Sequence, residues 1–127
     1  MPAFTKIILY TAKDGFAQFK EEKIILDQGN EQSQLSPWLT ATGIQFRHSP
    51  IGFQSDFHCT DKPQWLFVLQ GIMEIGLRDG TTRRFGPGDY FYSADTLPEN
   101  VNFDPSIHGH CSRLIGNLPL ITAFVCD

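Results

Sequence analysis

Turn chemistry cuts this chain into pieces too short for ordinary helices. Asp14-Gly15, Gln28-Gly29-Asn30, Ser49-Pro50, Asp79-Gly80, Gly86-Pro87-Gly88 and Asn117-Leu118-Pro119 punctuate it, and the runs between them are rich in Phe, Ile, Val and Tyr. Short apolar segments bounded in this way specify an all-β sandwich or barrel with little or no helix. Strands are expected over residues 4–10, 18–25, 43–48, 53–59, 64–69, 72–78, 82–85, 89–93 and 119–125. The clearest hairpin turns at Asp79-Gly80, because Asp-Gly accepts the positive φ angles of a tight turn. Nothing repeats at a fixed period, so residues 1–127 are read as one domain.

Composition narrows the class further. Hydrophobic residues make up 41% of the chain and include 11 Phe, enough to build a core without staples. The net charge of −4, with dispersed Lys and Arg, speaks against a nucleic-acid footprint, which needs a clustered basic face. The longest apolar run, Trp65 to Leu69, is too short to cross a bilayer. No basic head followed by an apolar stretch opens the chain, and three cysteines are too few for a disulfide scaffold. The expectation is a cytoplasmic protein with reduced thiols.

Strand alternation sorts the side chains by face. With His58 inward, Thr60 follows it, while Phe57 and Cys59 point out. With Gln64 inward, Leu66 and Val68 follow, leaving Trp65, Phe67 and Leu69 outside. Three large apolar side chains in a row need cover, from the N-terminal strands or from a second subunit. A homodimer is the expected state.

The run from residue 52 to 71, GFQSDFHCTDKPQWLFVLQG, sets Gly52, His58, Thr60, Gln64 and Gly71 at a recurring spacing. It resembles the first signature of the cupin superfamily. The stretch GIMEIGLRDGTTRRFGPGD, residues 71–89, resembles the hairpin and turn that lead to the second signature, here within residues 86–113. ATGIQFR, RRFGPGDYFYSAD and GHCSR are similar to segments of small bacterial single-domain cupins. The resemblance implies a double-sheet jelly-roll barrel (a double-stranded β-helix) whose inward His, His and Glu hold a metal. Only His58 keeps its type at the first-signature ligand positions; Thr60 and Gln64 occupy the others. The second-signature histidine falls at Glu99 in the usual register, or at His110 when residues 96–107 form a longer loop, which is either a lid or specificity element at the barrel mouth or an insertion with no task.

The metal site so implied is His58, Gln64 and His110 holding one divalent ion, Fe, Mn, Ni or Zn. Glu99 and His108 are alternative completions; His108 shares the face of His110 in a regular strand. In the competing reading the barrel holds no metal, and Gln64 and Thr60 hydrogen-bond each other, a water or an organic ligand. Arg47 lies on the face opposite Ile44, Phe46 and His48; it pairs with a surface acid or, facing inward, anchors a carboxylate or phosphate. Ser112 falls on the His110 side and Arg113 outside, and Cys111, like Cys59, faces away from the cavity. The functional expectation is a barrel that binds a small organic molecule, as a metal-dependent enzyme of the oxygenase or isomerase class. The alternative is a metal-free, non-catalytic ligand-binding or interaction barrel.

Overall fold

The computed structural model describes all 127 residues, Met1 to Asp127. Its strands are β1 (Ala3–Thr11), β2 (Ala17–Ile25), β3 (Gln28–Asn30), β4 (Ser33–Leu35), β5 (Gly43–Ser49) and β6 (Gln64–Gln70). They continue as β7 (Ile72–Gly76), β8 (Thr82–Phe85), β9 (Tyr90–Ala94), β10 (Cys111–Ile115) and β11 (Leu120–Cys126), with no helix. It follows that no helix is long and apolar enough to cross a membrane.

A six-stranded sheet runs β2-β1-β9-β6-β11-β5, and a three-stranded sheet runs β10-β7-β8. The segment after β5 joins the free side of β10 through bridges Gln54↔Arg113 and His58↔His110. Counting that segment, the chain from β5 onward forms two layers, β5-β11-β6-β9 and 53–58-β10-β7-β8. This is the jelly-roll order. The two ladders remain separate rather than closing into the continuous barrel expected.

Two departures from the expected strands have local causes. Residues 53–59 make no regular strand, because four steps from Gln54 to His58 oppose three from His110 to Arg113. The surplus residue breaks the ladder as a bulge does. β7 stops at Gly76 because Leu77 and Gly80 already bond within the turn, Leu77 N donating to Thr81 O and Gly80 N to Leu77 O. The β3–β4 hairpin and strand β10 add to the expected set.

The core draws on both layers: Leu9, Leu66, Val68 and Phe91 from one, Met73, Ile75, Phe85 and Leu114 from the other. The Phe85 ring meets Phe91 at 4.7 Å, tilted by 40°, joining the layers. On the outer face of the large sheet, Trp65 is covered within the chain: Phe4 lies 6.2 Å away and Lys6 caps the ring at 5.1 Å. The N-terminal strands therefore supply the cover for Trp65, while Leu69 stays exposed.

Candidate functional site

Between the layers opens a cavity of about 380 Å³. Its floor is apolar, formed by Leu66, Met73, Ile75 and Phe91, and its walls carry Arg47, His58, Thr60, Gln64, His110 and Ser112. The large sheet contributes Arg47 from β5 and Gln64 from β6; Ser112 comes from β10, and the histidines come from the bridge beside it.

His58 and His110 are cross-strand partners, joined by His58 N to His110 O at 2.9 Å and His110 N to His58 O at 3.0 Å. Their rings lie 4.8 Å apart, tilted by 53°. Nδ1 of His58 faces the carbonyl oxygen of Asp56 at 2.9 Å, and Nδ1 of His110 faces Asp95 Oδ2 at 2.7 Å. A carbonyl and a carboxylate only accept, so each Nδ1 carries a proton, and in the neutral imidazole each Nε2 keeps its lone pair. Asp95 is fully buried, and its other oxygen accepts from Thr11 Oγ1 at 2.7 Å. Ser55 bridges Ser112 Oγ at 3.1 Å and His58 Nδ1 at 3.4 Å, which places Ser112 behind His58. Asp95 was assigned no role from sequence. Its signal was parity: it follows the buried Ser93 by two residues, one position past the end of β9.

One glycine makes the histidine pair possible. Gly109 has φ of 92°, and a Cβ there would sit 2.9 Å from both N and O of His58. Its neighbour is anchored from the other side, since Arg78 donates twice to the His108 carbonyl, at 3.1 and 2.9 Å, while stacking 3.8 Å over Phe57.

Several expected site residues lie elsewhere. His108 is buried outside the cavity, where its Nδ1 accepts from Asp104 N at 2.9 Å. The positive φ of Gly109 breaks the alternation that was to align it with His110. Glu99 is exposed in a turn next to Asn100, itself at φ 63°, and does not reach the histidines. No residue of 96–107 lines the cavity; Ile107 packs instead against Gly15. Thr60 bonds Ser93 Oγ at 2.6 Å and Gln64 Oε1 accepts from Cys126 Sγ at 3.5 Å, so the two do not bond each other. Cys59 borders the cavity rather than facing away, whereas Cys111 does face away, its thiol toward Gly76 O at 3.7 Å. Burial and the nearby Asp95 push the Cys59 thiol up to about 11.

Arg47 makes no surface ion pair. It lies inward, with Phe53 and Phe124 at 5.2 and 5.1 Å from its guanidinium, and burial lowers its pKa. Arg113, outside as expected, donates to Glu74 at 2.9 Å alongside Arg84, also at 2.9 Å. The two cations hold the Glu74 carboxyl below its ordinary range.

The strand order decides the type of fold. This is a jelly-roll fold. Among solved structures, the chain is similar to the cupin domain of Schizosaccharomyces pombe Cnp3, with TM-score 0.47 and 15% identity. The likeness spans 98% of this chain and 84% of that one. No family model matches the chain, and no curated protein matches it. Within the chamber, His58, Thr60, Gln64 and the late His110 all border one cavity.

Proposed function

We propose that this chain is a cupin that binds a small polar organic molecule in its chamber, and that His58 and His110 meet the reactive end of that molecule. The observation carrying this reading is a pair of imidazoles, each with its Nδ1 committed and its Nε2 free, at the wall of a polar cavity. The chemistry such a pair supports is proton transfer. His110 Nε2 takes a proton from the ligand, Asp95 stabilises the imidazolium so formed, and His58 or His110 returns a proton elsewhere on the ligand. That sequence is an isomerisation. Screening small polar molecules by NMR against the parent and His110→Ala tests it, with solvent deuterium entering the ligand only with the parent. Binding without deuterium entry would remove the enzyme reading and leave a binding protein.

A second reading is favoured by the same tautomers, because a metal-ligating histidine characteristically donates its other ring nitrogen to an acceptor. His58 and His110 would hold the ion through Nε2, and the Gln64 amide oxygen would be the third donor. No group of three or more His, Cys, Asp or Glu side chains gathers anywhere to hold an ion. The donor set is therefore neutral, and Fe, Mn, Ni or Zn would be held loosely, with water completing its shell. Bound there, such an ion supplies Lewis-acid or oxygenase chemistry to a ligand oxygen. Elemental analysis after reconstitution with each ion, beside a His58→Ala, His110→Ala double variant, decides: a stoichiometric ion lost in the variant supports the metal reading, and none in either overturns it.

We also propose that a second copy of the chain covers β5. That strand ends the six-stranded sheet, so its outer backbone groups have no strand neighbour, and it turns Ile44 and Phe46 outward at 63% and 67% exposure. Antiparallel pairing of an edge strand with its own copy is self-complementary and buries both side chains.

A further inference from the structure

We propose that the chamber's ligand is a small monocarboxylic acid whose carboxylate is held by Arg47. This rests on reading the chamber as a ligand site and adds the chemical class of what enters it. Arg47 has the features of a binding residue and lacks those of a structural one. A structural arginine taken out of water is paired with an acid, since an unpaired buried charge is costly. No ion pair in the molecule includes Arg47. Its guanidinium is instead held in place by Phe53 and Phe124, which orient a planar cation without neutralising it.

A second observation points to the same spot. Two buried side-chain polar atoms in the molecule lack a hydrogen-bond partner, Arg47 Nε and Thr122 Oγ1. They belong to cross-strand partners in the β5–β11 ladder, on the face turned toward the interior. Of the two, only Arg47 borders the chamber, and its unmet donor is the one a ligand oxygen there would satisfy after a small shift of the side chain. Among the charged residues bordering the chamber, Lys62 and Asp61 are exposed and offset each other, so Arg47 is the one cation on the inner wall, a match for one carboxylate. A planar carboxylate also matches the guanidinium fork. The apolar floor of Leu66, Met73, Ile75 and Phe91 then takes the body of the acid, with its far end toward the histidine pair.

The experiment is a calorimetric and NMR titration with acetate, butyrate, benzoate and inorganic phosphate, together with the amides of the three acids. It is run on the parent, Arg47→Lys and Arg47→Met. Butyrate or benzoate should bind the parent at least about 10-fold more tightly than its amide, the scale of one charge-assisted contact. Arg47→Met should lose that discrimination, and Arg47→Lys should keep part of it. Thermal unfolding of Arg47→Met without ligand should be no lower than the parent's, since the variant removes an unpaired charge. That checks the fold and separates binding from structural loss. Equal binding of acid and amide, unchanged affinity in Arg47→Met, or tighter binding of phosphate overturns the carboxylate assignment alone. Failure of every acid and amide overturns the chamber reading with it.

Discussion

Replacing Gly109 by alanine measures how tightly the histidine pair is built. The backbone there has φ of 92°, so any side chain incurs left-handed strain of about 1–2 kcal/mol. The alanine Cβ also meets His58 backbone atoms at 2.9 Å, too near for any real contact, so the two segments must part. Parting strains both His58–His110 backbone hydrogen bonds, each worth about 1 kcal/mol. The total is about 3–4 kcal/mol, or about 10–15 °C in Tm for a chain of this size. Gly80 and Gly88 provide the internal standard. Both have φ of 88°, and nothing lies within 4 Å of a Cβ placed on either. Alanine there adds the strain alone, about 5 °C. The gain from restricting the unfolded chain is common to all three variants and cancels. Thermal unfolding followed by circular dichroism compares them directly. If Gly109→Ala melts no lower than Gly80→Ala and Gly88→Ala, close approach at His58 does not hold the site together.

Three further outcomes follow from groups away from that contact. Glu74 is held below its ordinary value of 4.5 by hydrogen bonds from Arg84 and Arg113, so its contribution is complete above that value and is lost as pH falls through the folded pKa. Urea midpoints from about pH 6 to about pH 3 should fall more steeply for the parent than for Glu74→Gln, and parallel curves would contradict the ion-pair account. Cys59, its thiol raised to about 11, should be alkylated more slowly than a free cysteine at neutral pH, as peptide mass spectrometry can follow; faster labelling would mean that the thiolate is stabilised. Light scattering after gel filtration should give the parent twice the chain mass of 14.3 kDa and Phe46→Glu the single mass; a monomeric parent removes the proposed dimer.

The layer architecture was largely legible because its information is local. Alternation in β6 puts Leu66 and Val68 inside at 4% and 1% exposure, as their spacing from Gln64 required. Asp79-Gly80 turned where its φ preference said it would, with Gly80 at 88°. Local signals failed where polar sequence paired for reasons of closure alone. The β3–β4 hairpin has six exposed residues and no apolar stripe to announce it. Arg47 was legible only in part: parity set it opposite Ile44, Phe46 and His48 without saying which face was inner, and the surface acid expected for it is absent.

The chemical end of the chamber was half legible for a deeper reason. A spacing motif places residues along one strand, whereas this site depends on contacts between strands. His58 and Gln64 could be found by counting, because both belong to one continuous frame. Asp95 acts only through its contact with His110, fifteen positions away in sequence. His108 was misplaced because a rule that holds within a regular strand was carried across Gly109, where the chain leaves the strand conformation. That same departure lets the backbone approach His58 closely enough for the two imidazoles to face each other. The residue that defeats alternation is therefore the one that brings the pair together. Its strain and tight contact put a local cost in the fold, and the His58–His110 bridge, Asp95 and the Arg78 clamp offset it. A bend of that kind, closed by three separate elements, supports the proposed site more strongly than the signature spacing that includes His58.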